Sequence, residues 1–118
     1  MIKNQIGGIP MKKDDFHVIQ YQILNYLYEK IKLGNDVNEK ELQGILPKHN
    51  EKYFNYIIHC MESYRFIEGV KVVGSGKLYE VTNFNKCYIT PIGIEYLFKE
   101  PLMKEVKEYF NGIKEWEN

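Results

Sequence analysis

The stretch YITPIGIEYL, residues 88–97, marks the point where one kind of secondary structure ends and another begins. Its first two residues favour a strand. Thr90 is suited to cap a helix, and Pro91 is suited to the first helical position, where its missing N–H costs nothing. Apolar residues then recur at helical spacing, at Ile94, Leu97 and Phe98. We therefore predict a strand that ends at Thr90 and a helix that begins at Pro91.

Three segments with helical periodicity precede this stretch. The first runs from a cap at Asp14 or Asp15 to Gly34, and its apolar arc is wide enough to predict contacts on more than one side. The second is short, begins after Asn38 in a capping-box pattern, and ends near a proline. The third begins after Asn50. Its inward stripe is predicted to be Phe54, Ile57, Ile58 and Met61.

Residues 70–81 have the pattern of a β-hairpin, in which VKVV and LYEV flank the turn GSGK. CYIT, residues 87–90, is predicted to be one more short strand. The helix from Pro91 restarts at a second proline, Pro101. Its apolar stripe is Leu102, Val106, Tyr109, Phe110, Ile113 and Trp116.

This order of elements predicts an α+β fold of the winged helix-turn-helix type, with three helices, a β-hairpin wing and a C-terminal helix. Residues 1–13 contain two adjacent glycines and three lysines without a sustained period, so we predict a flexible N-terminal arm. Residues 14–118 are predicted to form the winged-helix domain, with a C-terminal packing helix from about residue 91.

Three stretches resemble the YjcQ family of small bacterial and phage-encoded winged-helix proteins: YQILNYLYE at 21–29, the Tyr-rich third helix, and YITPIGIEYL. The resemblance covers about residues 14–99. It implies a winged-helix fold and DNA binding, and it brings no catalytic motif. The third stretch is also similar to a turn found in many winged-helix transcription regulators.

Composition limits the classes of function. The 118 residues carry 16 Lys plus Arg and 16 Asp plus Glu, so a nucleic-acid site would need a local basic face. No apolar run reaches the roughly 20 residues of a membrane span, and the N-terminus lacks the apolar core of a signal peptide. We therefore expect a cytoplasmic protein without membrane association. Cys60 and Cys87 are then expected to be free thiols in or near the core.

The candidate DNA-binding residues follow from how a winged helix meets a duplex, with the third helix in the major groove and the wing at the phosphates or minor groove. Asn55 could read adenine, and Lys52 could reach guanine or phosphate. The alternative is that this helix face has no binding role and carries ordinary polar residues in contact with solvent. Residues 48–90 carry six Lys plus Arg and four Glu, a modest surplus. On the third helix the candidates are Lys48, His49, Asn50, Lys52, Asn55, Tyr56 and His59, and on the wing they are Lys71, Ser75 and Lys77.

Other kinds of site have little support in the sequence. GSGK lacks the full spacing of a phosphate-binding loop and sits in a hairpin rather than between a strand and a helix. The three histidines stand at no recognised metal-ligand spacing. His59 and Cys60 point about 100° apart on a helix, which is poor geometry for a nucleophilic pair. We therefore expect a protein that is not an enzyme, with no metal and no cofactor.

Two alternatives concern partners. The apolar stripe of the C-terminal helix predicts either packing on the first helix within one chain, or a homodimer through the first and C-terminal helices. The neutral charge also allows a protein–protein interaction module that uses the winged-helix fold without binding nucleic acid.

Overall fold

Five α-helices and three antiparallel strand pairs are present in the described residues of the chain, for which we use a computed structural model. These are residues 5–6, 9–48 and 50–117, with side chains described from 10–48 and 50–112. The helices are α1 (Phe16–Leu33), α2 (Glu39–Gln43), α3 (Glu51–Ser63), α4 (Pro91–Lys99) and α5 (Pro101–Glu117). The strands are β1 (Gln5–Ile6), β2 (Ile9–Pro10), β3 (Ile67–Glu68), β4 (Lys71–Ser75), β5 (Leu78–Thr82) and β6 (Tyr88–Ile89), with a 3₁₀ turn at Phe84–Lys86.

The strands pair as β1–β2, β3–β6 and β4–β5. The β4–β5 hairpin is the predicted wing, and β3–β6 closes its base. Three helices, a hairpin and further helices, in this order, form the predicted α+β architecture of a winged helix. No helix among the described residues combines the length and the apolar character needed to cross a membrane.

The hydrophobic core surrounds α1, which contacts α3, α4, α5 and β6. The buried residues of α1 are Val18, Ile19, Gln20, Ile23, Leu24 and Leu27. They occupy more than one side of the helix, so the wide apolar arc read from the sequence packs within the chain. Gln20 is the polar member of this set, and its Oε1 lies 3.1 Å from Nδ1 of His17 and 3.4 Å from the Tyr96 hydroxyl.

The junction between β6 and α4 has the predicted form. Thr90 caps α4, since its Oγ1 accepts a hydrogen bond from the Gly93 N–H at 3.1 Å, and Pro91 occupies the first turn. The Thr90 hydroxyl also donates to the carbonyl oxygen of Arg65 at 2.5 Å. A Cβ at Gly93 would collide with the carbonyl oxygen of Phe66, so glycine lets α4 approach this segment closely. The buried Thr90 side chain thus connects the start of α4 to the segment that leads into β3.

The predicted ends of α1 are partly confirmed. Gly34 ends the helix in the left-handed region, at φ 71°, and the N–H of Asn35 donates to the carbonyl oxygen of Lys30. At the start, Asp15 is the N-cap residue, but its side chain does not cap the helix. Its Oδ2 accepts instead from the backbone N–H of Lys12 at 2.8 Å.

Both short-helix caps lie where the sequence places them. Asn38 accepts from the backbone N–H of Glu41 at 3.0 Å, and Asn50 accepts from that of Tyr53 at 3.1 Å. The reciprocal half of the predicted capping box is replaced by Tyr26. Its hydroxyl donates to Glu41 at 2.8 Å and accepts from the Asn38 N–H at 3.1 Å. Tyr26 therefore fastens the start of α2 to α1.

Part of the segment that the sequence predicts to be a flexible arm, residues 1–13, is paired or buried among the described residues. Gln5 and Ile6 pair with Pro10 and Ile9, and β1 contacts α5. Met11 is buried in the core. The physical reason is that the apolar Met11 side chain packs into the hydrophobic core. The glycines and lysines beside it in the chain gave no indication of this burial.

The C-terminal stripe packs mainly within the chain. Val106 and Tyr109 are buried, and Leu102 and Phe110 are half-buried. α5 contacts α1 and α4, and the Phe110 ring lies 5.9 Å from that of Tyr21. The side chains of Ile113 and Trp116 lie outside the described set. Core packing therefore accounts for the described part of this stripe.

Candidate nucleic-acid interface

The wing lies along one flank of α3, and Tyr79 makes the principal polar and aromatic contacts. Asn55 Nδ2 donates to the carbonyl oxygen of Tyr79 at 3.0 Å. The His59 ring is stacked on the Tyr79 ring, with centroids 3.8 Å apart and planes 12° apart. These contacts fix the wing relative to the third helix.

Two candidate DNA-reading residues are used for this packing. Asn55 is only 6% exposed, so the prediction that it faces DNA bases is wrong. His59 is half-buried beneath Tyr79 rather than free on the outer face. With about 100° between successive residues, position 55 lies at the border of the inward stripe. Which border the wing covers is a tertiary property that the helix pattern alone does not contain.

The exposed face of α3 retains Lys52 and Tyr56, as the sequence predicts. Lys48 is also exposed, on the segment that leads into the helix. Asn50 is exposed, although its Oδ1 is occupied by capping α3. His49 lies outside the described residues. Of the predicted third-helix candidates, the structure therefore leaves Lys48, Asn50, Lys52 and Tyr56 exposed to solvent.

The wing has an inner face against α3 and an outer face toward solvent. Val72, Tyr79 and Val81 are half-buried on the inner face. The candidates Lys71 and Ser75 are exposed on the outer face. Val73 lies on the same outer face, since every second residue of a strand points to the same side.

The tip of the wing is a two-residue loop, Gly76–Lys77, between the paired residues Ser75 and Leu78. Gly76 has φ 65° and Lys77 is not in the positive-φ region, the arrangement of a type II′ turn. Gly74, at φ 141°, brings the two strands together where a Cβ would collide with the Leu78 carbonyl oxygen. Both glycines have positive φ, and they present Lys77 at the outermost point of the hairpin.

The lysines of this surface make no ion pair within the described residues. The ion pairs in these residues join Lys30 to Glu41, Lys32 to Glu29 and Lys99 to Glu95, on α1, α2 and α4. Within the same residues, no ion pair involves the exposed cations on and around α3 and the wing, and the same is true of exposed lysines on α2 and α5; the first group is Lys48, Lys52, Arg65, Lys71, Lys77 and Lys86.

Two of the four glutamates between residues 48 and 90 interact with residues outside α3 and the wing. Glu68 accepts a hydrogen bond from the Tyr88 hydroxyl at 2.6 Å. Glu62 is half-buried, and its charge adds to the burial that raises the pKa of the Cys87 thiol. Glu51 and Glu80 remain exposed near the cations. An accepted hydrogen bond does not remove the charge of a carboxylate, so the surplus of cations is as modest as the sequence count indicates.

The two thiols have different surroundings. Cys87 is buried in the core, whereas Cys60 is half-buried on α3. The neighbouring Cys60 thiol is the main cause that raises the pKa of the Tyr56 hydroxyl. Among the described side chains, no three His, Cys, Asp or Glu residues gather as they would around a metal ion.

Tyr79 is the functional residue that the sequence reasoning missed. The available signal was strand alternation, which places Tyr79 and Val81 on the same face of LYEV. A strand that turns two bulky residues to one side needs a surface to cover them. The flank of α3 is that surface.

Comparison with known proteins identifies the family. A search of curated proteins gave no match, and neither did a search of solved structures. The sequence model described as YjcQ protein matches residues 21–116, which extends beyond the stretches that carried the resemblance and includes α5. The matched range covers α1 from Tyr21, the helix-turn-helix, the wing and both C-terminal helices, and the chain therefore belongs to the YjcQ family.

Proposed function

We propose that this protein binds double-stranded DNA through α3 and the wing, and that it acts as a regulatory protein. The observation that carries the proposal is the placement of exposed lysines on the two elements that meet a duplex in this architecture. Lys52 on α3, and Lys71 and Lys77 on the wing, are exposed and make no ion pair within the described residues. A phosphate backbone favours such a surface, since each contact releases counterions.

The geometry supports a division of roles. Lys52 and Tyr56 stand on the exposed face of α3, which is the element that enters the major groove in this architecture. Lys77 is at the tip of a hairpin that Asn55 and Tyr79 hold against the helix. We therefore assign Lys77 to phosphate contact and Lys52 to a base or a nearby phosphate. A fixed wing would let both contacts form without a further loss of conformational freedom.

The experiment is a fluorescence-anisotropy titration of genomic DNA fragments at several salt concentrations. We expect Lys77→Ala to weaken binding by a similar factor for all fragments, and to reduce the slope of log affinity against log salt by about one unit. Lys52→Ala should also weaken binding and change the order of preference among fragments. Both side chains are exposed, so thermal unfolding should be unchanged.

The matched control is Lys99→Ala, which removes the same charge from α4. It should leave affinity within about twofold, because its site is outside the proposed surface. Affinities that are equal for wild type, Lys52→Ala and Lys77→Ala would reject the DNA proposal. A loss that is as large for Lys99→Ala would indicate a general charge effect instead.

The exposed apolar residues of the wing favour a second candidate, a protein–protein interaction module. Val73 and Leu78 are each 58% exposed on its outer face. Exposed apolar side chains that lie together are typical of protein interfaces. The double variant Val73→Ser/Leu78→Ser should then abolish a specific, nuclease-resistant pull-down, while Ile92→Ser on α4 should not. A fragment-specific DNA affinity that survives the wing substitutions would favour DNA.

A further inference from the structure

A groove of about 460 Å³ runs between α1 and α5, beside the end of α4. We call it the α1–α5 groove. Its floor is apolar, formed by Tyr21, Leu97 and Met103, of which the last two are buried. Burial also raises the pKa of the Tyr21 hydroxyl. The internal packing of α5 thus leaves an open depression on its flank rather than a closed surface.

Phe98 stands at the rim of this groove and is 51% exposed. Its ring makes an edge-to-face contact with Tyr28, with centroids 5.1 Å apart. That contact supports the ring from one side and leaves the other in solvent. The exposed Phe98 ring and the apolar depression therefore lie next to each other on the same face of the chain.

The wall of the groove carries both signs of charge. Lys104, Lys107 and Glu108 line it from α5, and all three are exposed. None of them forms an ion pair within the described part of the chain. When two such helices lie antiparallel about a two-fold axis, a lysine on each faces a glutamate on the other. Lys104 and Glu108, one helical turn apart, are therefore complementary to the same two residues of a second copy, and Lys107 adds one positive charge in each copy.

We infer that two copies of this chain form a two-fold symmetric dimer, in which Phe98 of each enters the α1–α5 groove of the other. Lys104 of each copy then pairs with the partner's Glu108. The occupant is a second copy because one surface supplies the ring, the depression and both charges, which an isologous interface requires. The sequence predicted a possible homodimer through the first and C-terminal helices. The inference places that interface at the α1–α5 groove and the end of α4.

The dimer leaves the proposed DNA surface free, since no residue that lines the groove belongs to α3 or the wing. Two third helices would then be presented by one particle. The inference itself does not depend on DNA binding. It can be tested on the free protein.

The first test is sedimentation velocity over a concentration series, supported by light scattering. We expect Phe98→Ala to raise the dimer dissociation constant by about 100-fold, because a central aromatic contact is lost twice. The control is Ile92→Ala, which changes an equally exposed residue on α4 that lies outside the groove. It should change the dissociation constant by less than about twofold.

The second test reverses the charges. Lys104→Glu and Glu108→Lys should each weaken the dimer about five- to tenfold, since like charges then meet at two places. The double variant should return to within about twofold of wild type, because the pairs are restored with their signs exchanged. Rescue by the double variant separates a direct contact from a general effect of charge.

Several outcomes would overturn the inference. A wild-type chain that remains monomeric up to about 500 µM, far above the dissociation constants of specific dimers, has no such interface. A dimer that is insensitive to Phe98→Ala and to both single reversals is formed elsewhere. A monomer that captures an unrelated peptide in the groove assigns the groove to a different partner.

Discussion

The side-chain amide nitrogen of Asn55 on α3 lies 3.0 Å from the backbone carbonyl oxygen of Tyr79 on β5, and this hydrogen bond joins the third helix to the wing. Asn55 is buried, so its amide no longer competes for water or for a ligand. The Tyr79 ring stacks on His59 one helical turn further along α3. The two contacts are close together and position the wing as a unit with the helix.

Loss of the Asn55 hydrogen bond should destabilise the fold and loosen the wing. We expect Asn55→Ala to lower the free energy of unfolding by about 1–2 kcal/mol. Amide hydrogen exchange in β5 should become faster than in α1, because the wing loses its anchor first. The measurements are urea denaturation and hydrogen exchange. Ser63→Ala, at an exposed site of the same helix, should change stability by less than about 0.5 kcal/mol.

Thr90 should be sensitive even to an isosteric change. Its hydroxyl accepts from Gly93 and donates to Arg65, so Thr90→Val removes two hydrogen bonds in a buried site. We expect a loss of about 2–3 kcal/mol. Thr82→Val makes the same chemical change at an exposed strand position and should be neutral or slightly stabilising. Equal effects of the two variants would contradict the linking role of Thr90.

Two helical glycines should respond to alanine with opposite signs. At Gly93 the new Cβ meets the Phe66 carbonyl oxygen, and we expect a loss of more than about 2 kcal/mol. At Gly112 no atom lies within 4 Å of an added Cβ, so alanine should stabilise α5 by about 0.5–1 kcal/mol. Thermal unfolding of both variants in one buffer makes the comparison. A stable Gly93→Ala protein would contradict the close approach of α4.

The two thiols should react at different rates. Burial, and secondarily the charge of Glu62, raises the pKa of the Cys87 thiol from 9.0 to about 12. In the native protein at pH 8 its thiolate fraction is then about 1,000-fold below that of an unperturbed thiol. A thiol reagent should label Cys60 readily and Cys87 only in urea. Cys60→Ser and Cys87→Ser variants assign the labelled site.

The same shift predicts a dependence of stability on pH. Because the folded pKa exceeds the unfolded value, the contribution of Cys87 is fully present below pH 9 and is lost as the pH rises toward 12. The slope of this contribution approaches about 1.4 kcal/mol per pH unit between those values. Urea denaturation at a series of alkaline pH values gives the measurement. The Cys87→Ser protein should lose less stability over this range than wild type.

Local signals in the sequence were sufficient for the helices, the wing and β6, but not for β1, β2 or β3. Thr90 with Pro91 fixed the start of α4, Gly34 fixed the end of α1, and the glycines of GSGK fixed the wing turn, because each is determined by neighbours in the chain. The YjcQ resemblance was confirmed by the family match as well. Such features need no knowledge of the rest of the molecule.

The candidate site was harder to predict, since it depends on which flank of α3 the wing covers. Asn55 and Lys52 both lie outside the apolar stripe of that helix, yet one is buried and the other exposed. Met11 shows the same limit, because nothing in its neighbourhood indicates a place in the core. Helical periodicity separates inside from outside, but it does not say which polar residues a neighbouring strand will cover.

The pairing of Glu68 with Tyr88 has a consequence for how this domain can vary. These two residues belong to β3 and β6, which pair with each other at the base of the hairpin. The chain therefore enters and leaves the wing at neighbouring positions. A loop closed in this way can lengthen at Gly76–Lys77 with a small entropic cost, about 0.6 kcal/mol for each doubling of its length. The tip of the wing can thus change in length and chemistry, while β3–β6 and the contacts of Asn55 and His59 with Tyr79 keep its base in place.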